Sequence, residues 1–550
     1  MTDTMTRPGR WRGHLGGTPL ATRTRSAASS ETLRRVIGSV WVWPMLATAA
    51  IGWHGIGVPE LWRDELATWQ AAGRSVPQLV GMLHHVDAVL GAYYLLLHFW
   101  MDLFGDSATA LRAPSLIAMT AAAGVVAVTA RRLGGPTAGL AAGLLFAVIP
   151  SVSRYGQEAR PYAFVTFFAA LATLLLLRAM ERPSGRRWAL YALAIAATGA
   201  SNVLGLCLLA GHALCVAIAS WRPAPGSVGR RWEVALGFVL AATVGVALDL
   251  PVIMAGRSQT AAQIGGLARP AITALTGQDG SLGVWPQLFC STAVAVAVLV
   301  LAAVSLRGPG GRASAYSLLT ALVPIVVLWG ASQGPNSYWY ARYLLFTVPA
   351  WAVAAGLGIS GIGGPGLAAP GAGEAGRHRP GRAARGLAVA VIVALIAALG
   401  LPDQHAIRRG EAHNWWSYPE LISIRAVDYA GAANIIAAHE RPGDGIVFQR
   451  DNRWMVDIGI EYYLRGRPEP KDVFLVRTPA QADSLTAVEC ADPLRCLRGE
   501  PRLWVVYLAR DPDLYTAIEP GKVAALRAAH YVTARIYHEA GIDVALMVRR

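Results

Sequence analysis

An apolar run near the start of the chain, and the polar segment that follows it, decide the fold. Residues 37–57 read IGSVWVWPMLATAAIGWHGIG, and residues 61–70 read LWRDELATWQ. The first run has the length that a helix needs to cross the hydrocarbon core of a bilayer. The second places Asp64 and Glu65 side by side, between Trp62 and Trp69. The sequence therefore predicts a membrane span followed by two carboxylates close to the membrane surface.

The composition of the whole chain is that of a membrane protein. Of its 550 residues, 54% are hydrophobic and 15% are charged, whereas soluble domains carry about a quarter charged residues. Apolar runs of spanning length recur along the chain, which argues against a large soluble protein. We predict an α-helical polytopic membrane protein with about eleven spanning helices, near residues 37–57, 113–131, 136–152, 161–180, 188–202, 203–221, 233–254, 286–306, 314–332, 342–360 and 386–402.

The net charge of +15 is explained by membrane topology. Most of the excess lies in short segments between apolar runs, such as those that contain Arg131 and Arg132, or Arg186 and Arg187. Basic residues are enriched in cytoplasmic loops, so we place the N-terminus in the cytoplasm and the polar C-terminal region outside. Because basic residues are not interleaved with exposed aromatic residues along a stripe, we exclude nucleic acid as a partner.

The same orientation divides the chain into regions. Counting the hydrophobic residues 88–104 as a span would reverse every later loop, so we predict that residues 58–112 form one external loop with one or more helices at the membrane surface. The other predicted regions are a disordered cytoplasmic tail at 1–36, a membrane domain at 37–403 with a flexible cytoplasmic linker at 361–385, and a small extracytoplasmic α/β domain at 404–550.

Two of the five cysteines lie in the polar C-terminal region. Cys490 and Cys496 occur in the segment CADPLRC and could close a small loop as a disulfide in an oxidising compartment. Their spacing matches no common zinc site.

Polar side chains also gather at other predicted external helix ends. They come from distant parts of the chain and comprise His84, Asp87, Gln157, Glu158, Arg160, Tyr340 and Arg342. Ionisable groups near membrane depth are costly and are usually paired or functional. A carboxylate can accept a proton from an attacking hydroxyl, and arginine can bind a phosphate through its planar fork of donors. These residues together predict a site that binds a phosphate-linked substrate held in the bilayer.

Five motifs carry a family resemblance. They are RDELATW (63–69), HHVDAVLGAYYLLLHFWMDLFG (84–105), LRAPS (111–115), YGQEARPYAF (155–164) and YWYARYLLFTVP (338–349). Together they resemble membrane glycosyltransferases of the GT-C fold, of the protein O-mannosyltransferase and aminoarabinose-transferase type, especially actinobacterial members. The resemblance covers about residues 37–403.

The resemblance implies an activity. It implies transfer of a sugar, with mannose favoured, from a polyprenyl-phosphate donor to an acceptor hydroxyl on the extracytoplasmic face of the cell membrane. The acceptor could be a glycan, a lipid or a protein. A single displacement at the anomeric carbon would invert its configuration.

The resemblance also implies roles for residues of this chain. Asp64 and Glu65 would be catalytic, with Asp64 as general base, and Arg160 and Arg342 would bind the donor phosphate. The other candidate substrate-binding residues are His84, Asp87, Gln157, Glu158 and Tyr340. Some members bind a divalent metal at the acids, but the residue pattern here does not require one.

Two alternative functions remain open at this stage. A transporter or flippase for lipid-linked sugars predicts polar residues near the middle of the spans and broken helices in repeated positions. A non-catalytic membrane scaffold predicts that replacing the acids and arginines has no biochemical effect.

Overall fold

The architecture follows from a computed structural model. It describes residues 39–221, 228–264, 268–277, 283–308, 310–362, 382–410, 427–451, 454–509 and 513–550. The predicted tail at 1–36 and most of the predicted linker at 361–385 lie outside the described residues.

Helices form most of the described residues up to residue 410. In chain order they are α1 (Val42–Trp53), α2 (Arg63–Ala72), α3 (Val76–Leu83), α4 (Gly91–Phe104), α5 (Ala108–Val148), α6 (Pro150–Gly156), α7 (Tyr162–Glu181), α8 (Gly185–Ser201), α9 (Leu208–Trp221), α10 (Val228–Ile264), α11 (Thr273–Thr276), α12 (Trp285–Phe289), α13 (Thr292–Ser305), α14 (Gly311–Ala331), α15 (Val348–Ile362) and α16 (Arg382–Arg408). Three 3-10 turns accompany them, at Ala88–Leu90, Val203–Cys207 and Ala341–Thr347.

The protein is a multi-pass membrane protein. Within the described part of the chain, 7 helices are long and apolar enough to cross a membrane. Three shorter apolar helices occur at Val42–Trp53, Ala88–Phe104 and Thr292–Ser305. Each of the predicted spanning segments contains helix.

Helix α5 contains the predicted span 113–131 and most of the predicted span 136–152. The helix breaks at Gly135, whose φ of 87° lies in the left-handed region that favours glycine, directly before Pro136. The two halves then fold back on each other, since a Cβ at Gly139 would lie 2.7 Å from the backbone oxygen of Ala127. The break therefore makes a helical hairpin from one apolar stretch.

Helix α15 lies at the centre of the membrane core. Every residue from Val348 to Ile359 is buried. Small residues allow close approach: a Cβ at Gly356 would meet backbone and side-chain atoms of Ala142 at 2.5–2.6 Å. This central helix follows directly after the turn that carries Arg342.

The C-terminal part is an α/β domain, as predicted. Its helices are α17 (Tyr429–His439), α18 (Val456–Leu464), α19 (Pro493–Cys496), α20 (Leu514–Ala517) and α21 (Pro520–Ala528). Its strands are β1 (Gly445–Phe448), β2 (Lys471–Asp472), β3 (Leu475–Arg477), β4 (Val488–Glu489), β5 (Arg502–Leu508), β6 (Tyr531–Glu539) and β7 (Ile542–Arg549).

A five-stranded mixed sheet organises this domain. The strand order is β2-β1-β5-β7-β6, with β3 and β4 forming a separate pair. Strand β1 pairs in parallel with both β2 and β5, whereas β7 pairs antiparallel with β5 and β6.

The C-terminal domain packs on the loop formed by residues 58–112. The Tyr463 hydroxyl accepts a hydrogen bond from the Leu61 amide at 2.9 Å, and the ring of Tyr462 stacks edge-on against Trp69 at 5.1 Å. Arg465 forms an ion pair with Asp106 at 3.1 Å. The loop and the domain share one hydrophobic cluster, so they lie on the same side of the membrane helices.

Candidate active site

The acidic pair lies in the first turn of α2. Carboxylates are stabilised there by the positive end of the helix dipole, and the Glu65 carboxylate also accepts a hydrogen bond from the Trp62 amide at 3.4 Å. Adjacent residues of an α-helix point about 100° apart. Asp64 and Glu65 consequently face different surroundings.

Glu65 is held in a closed, fully buried ion pair. Its two carboxylate oxygens accept hydrogen bonds from Nε and Nη2 of Arg112 at 2.8 and 2.7 Å. The Ala159 amide donates a further bond at 2.8 Å. Arg112 in turn donates to the carbonyls of Ile56, Pro59 and Glu60. This network ties the start of the loop, α5 and the turn before α7 together.

Asp64 faces a cluster of guanidinium groups. Its Oδ2 lies 3.2 Å from Nη1 of Arg342, and its Oδ1 lies 3.1 Å from Nε of Arg63. Nη1 of Arg160 donates to the Thr68 hydroxyl at 3.3 Å and lies 3.5 Å from the backbone oxygen of Asp64. The structure thus brings Asp64, Arg160 and Arg342 together.

Electrostatics keep Asp64 ionised. Burial opposes the charged form, but the positive charges of Arg63, Arg160 and Arg342 outweigh burial and hold the pKa of Asp64 well below its usual range. The carboxylate is therefore negative throughout the physiological pH range.

Aromatic rings surround the guanidinium of Arg342. The ring centroids of Tyr340, Tyr343, Trp62 and Tyr162 lie 5.1, 5.6, 5.9 and 5.9 Å from its central carbon. A cation over aromatic faces gains about 0.5–2 kcal/mol, and the rings fix the direction of the planar fork. Tyr340 therefore lies within the site, against Arg342.

Gln157 and Glu158 lie in the turn between α6 and α7. The Gln157 amide donates to the carbonyls of Gly52 and His54 at 2.8 and 2.9 Å, which anchors this turn to the end of α1. Glu158 is completely buried, 3.6 Å from Arg154. Neither of its carboxylate oxygens accepts a hydrogen bond from any described residue. Burial raises the pKa of Glu158 to about 7, although the charge of Arg154 opposes the shift.

The two remaining loop candidates occupy different positions. The Asp87 carboxylate accepts a hydrogen bond from Tyr94 at 2.8 Å, and Tyr94 also interacts electrostatically with Arg160, so Asp87 belongs to the outer edge of the cluster. His84 is exposed at the end of α3. Cys490 and Cys496 form a disulfide in the C-terminal domain.

Two arginines were not among the candidates from the sequence. Arg63 contacts Asp64 directly, and Arg112 neutralises Glu65. Arg112 lies in the motif LRAPS, but nothing in the sequence distinguishes it from an arginine that reaches the lipid headgroups. Only the fold reveals its partner.

The arrangement provides one ionised carboxylate among several fixed cations. Such a site can bind a phosphate through its guanidinium groups and accept a proton at the carboxylate. Within the described ranges, no group of three or more His, Cys, Asp or Glu side chains is placed to hold a metal ion.

Comparison with known proteins supports the fold. Residues 90–253, less than half of the chain, match the family model described as dolichyl-phosphate-mannose-protein mannosyltransferase. No curated protein matches the sequence. The structure is similar to ArnT from Cupriavidus metallidurans bound to undecaprenyl phosphate, with a TM-score of 0.56 and 14% identity over 92% of this chain and 98% of that chain. For ArnT in the apo state the TM-score is 0.55, with 12% identity over 92% and 97% of the two chains.

These likenesses define the class of fold. The chain has the GT-C fold of membrane glycosyltransferases, which the motifs of the sequence predict.

Proposed function

We propose that this protein transfers a sugar from a polyprenyl-phosphate carrier to an acceptor hydroxyl at the membrane surface. The observation that carries the proposal is the buried contact between Asp64 and Arg342, with Arg63 and Arg160 beside it. The fold is shared with ArnT, which was solved bound to undecaprenyl phosphate. The matched family description names mannosyltransferases, so mannose is the sugar we propose first.

Arg160 and Arg342 would bind the phosphate of the donor. Both are directed toward Asp64, and the rings around Arg342 hold its fork in one orientation. As the bond between the anomeric carbon and the phosphate oxygen breaks, negative charge develops on the phosphate. Fixed guanidinium groups in a buried site stabilise that charge.

Asp64 would be the general base. The acceptor oxygen forms a bond to the anomeric carbon, the bond to the phosphate oxygen breaks, and the acceptor proton passes to Asp64. One displacement of this kind inverts the anomeric centre.

Donor binding would also strengthen the base. Without donor, the cations around Asp64 hold its pKa low and make it a weak proton acceptor. A bound phosphate would share the charge of Arg160 and Arg342, and the pKa of Asp64 would rise toward its ordinary value. Proton transfer would then be favoured only when the donor is in place.

Glu65 would position Asp64 without touching substrate. Its carboxylate is fully buried and saturated by Arg112 and the Ala159 amide. The pair fixes the first turn of α2, and with it the direction of the Asp64 side chain. The sequence led us to expect that both acids are catalytic. In this proposal Asp64 reacts with the substrate, and Glu65 only positions Asp64.

We further propose that the site faces the extracytoplasmic side, with the N-terminus in the cytoplasm. The distribution of basic segments supports this orientation. The C-terminal domain, which packs on the loop that carries Asp64, would lie on the same side.

The experiment is a transfer assay in membranes that contain the full chain. Radiolabelled polyprenyl-phosphate mannose and polyprenyl-phosphate aminoarabinose are supplied separately, and the labelled product is identified. Label that moves from mannose donor to a glycan, lipid or protein supports the proposal and names the acceptor. Label that crosses the bilayer while still attached to its carrier supports a flippase instead. Label that stays on the donor, in the same leaflet, rejects both activities.

A further inference from the structure

A second basic site lies at the other end of α7. The Asp64 site borders the start of this helix, whereas an open pocket of about 540 Å³ lies beside its last turn. A helix of 20 residues is about 30 Å long, so the two sites lie near opposite faces of the membrane. The pocket is lined by Arg132, Leu175, Arg178, Ser184, Arg186, Arg187 and Leu190.

Four arginines from three helices converge on this pocket. Arg132 belongs to the first half of α5, Arg178 to the last turn of α7, and Arg186 and Arg187 to the first turn of α8. One acid accompanies them: Glu181 pairs with Arg132 at 3.0 Å on the exposed rim. The pocket consequently carries an excess of positive charge.

The arginines do not all have the same role. Nη1 of Arg187 donates to the carbonyls of Arg178 and Arg182 at 2.8 and 2.9 Å, which caps the end of α7. Within the described part of the chain, the guanidinium groups of Arg178 and Arg186 have no hydrogen-bond or ion-pair partner. Two cations therefore remain available to a ligand.

The start of α8 adds an anion-binding element. Its N-cap residue, Ser184, makes no side-chain capping bond, and the first turn contains no acid. The Arg187 amide bonds to the Ser184 carbonyl at 3.0 Å, but the earliest amides of a helix have no partner within the helix and favour negative charge. These amides lie next to Arg186 in the pocket. The start of α8 and the guanidinium group of Arg186 therefore favour the same anion.

Part of the pocket wall is apolar and adjoins exposed apolar side chains of α8. Leu175 and Leu190 line it, and Leu190 is 41% exposed. Leu193, on the same helix, is 58% exposed. An anion with attached acyl chains fits this combination better than a free phosphate, because the chains can cover the exposed leucines of α8, Leu190 and Leu193.

We propose that this pocket binds the phosphate of an anionic phospholipid in the leaflet opposite to the Asp64 site. Basic pockets between helix ends are suited to such headgroups. The site requires no sugar transfer, and its test is independent of the activity proposed above.

The test compares two pairs of substitutions in the purified full chain. Arg178→Gln with Arg186→Gln removes the two unpaired cations of the pocket. Arg131→Gln with Arg182→Gln removes the same charge from neighbouring exposed positions that do not line the pocket. Native mass spectrometry then measures the affinity for phosphatidylglycerol and for phosphatidylcholine.

The wild type should bind phosphatidylglycerol more tightly than phosphatidylcholine. The pocket pair should weaken phosphatidylglycerol binding about tenfold to thirtyfold, because each basic residue near a membrane surface contributes roughly fivefold. The control pair should change it less than about threefold. If the pocket pair does not fold, Arg186→Gln alone, at an exposed position, should weaken binding about fivefold.

Three results would overturn the proposal. If both pairs of substitutions weaken phosphatidylglycerol binding equally, the lipid is attracted by surface charge in general and not by the pocket. If the pocket variants bind phosphatidylglycerol as tightly as wild type, the lipid does not bind in the pocket. Complete displacement of the lipid by millimolar inorganic phosphate would show a site for a soluble anion.

Discussion

Nη1 of Arg342 lies 3.2 Å from Oδ2 of Asp64, although 278 residues separate them in the chain. The loop after α1 supplies the acid, and the 3-10 turn before the central helix α15 supplies the cation. Because α15 is buried from Val348 to Ile359, the position of Arg342 is fixed by the core of the membrane domain. The contact therefore joins a surface loop to the buried core of the membrane domain.

Replacing Arg342 with lysine should weaken donor binding while keeping the charge. Lysine lacks the planar fork, and it packs less well among Tyr340, Tyr343 and Trp62. We expect KM for the polyprenyl-phosphate donor to rise about tenfold or more, measured in the membrane transfer assay. Arg269→Lys, at an exposed position, is the matched control and should leave KM unchanged. A donor KM equal to that of wild type would remove Arg342 from the phosphate site.

Breaking the Glu65–Arg112 pair should destabilise the protein. The substitution Arg112→Met leaves a carboxylate buried without its cation, which typically costs about 3–5 kcal/mol. We expect a large fall in the thermal unfolding midpoint of detergent-purified protein. Exchanging both partners for apolar residues, in Glu65→Leu with Arg112→Met, should recover part of that loss. A single variant as stable as wild type would contradict the structural role of the pair.

The sequence predicted that Asp64, Arg160 and Arg342 lie close together. The predicted topology places all three at helix ends on one side of the membrane. It could not separate the roles of Asp64 and Glu65, which are neighbours in the chain. Their difference depends on Arg112 and Arg342, which approach α2 from different directions. Such contacts depend on helix packing, and no local pattern of residues encodes them.

The elements of the fold were predictable to different degrees. Apolar runs marked the membrane helices, since spanning length is a property of the sequence alone. The docking of the C-terminal domain on the loop was not predicted. It rests on contacts such as the bond from the Leu61 backbone amide to Tyr463 and the ion pair of Arg465 with Asp106, and nothing in the sequence marks these residues as partners.

Glu60 should make the docking of the C-terminal domain depend on pH. Its carboxylate accepts a hydrogen bond from the Ala430 amide and faces Asp428, with Tyr429 and Tyr463 nearby. Burial, and then the hydrogen bond and charge of Asp428, raise the pKa of Glu60 from 4.5 to about 8. The folded state therefore keeps a proton that the unfolded state loses.

The sign of the effect follows from this difference. The contribution of Glu60 to stability is fully present below about pH 4.5 and decreases as the pH rises toward 8. The thermal unfolding midpoint of wild type should fall over this range more steeply than that of Glu60→Gln, which is neutral at every pH. Identical slopes for the two proteins would show that Glu60 is not protonated in the folded state.

The central claim is that Asp64 accepts the proton of the acceptor hydroxyl, and Asp64→Asn tests it most directly. Asparagine has nearly the same shape but cannot serve as the base, so transfer from radiolabelled polyprenyl-phosphate mannose in membranes should fall about 10²- to 10⁴-fold. Asp102→Asn changes an exposed acid of the same loop and should transfer at the wild-type rate. An Asp64→Asn variant that folds and transfers sugar as fast as wild type would contradict the account.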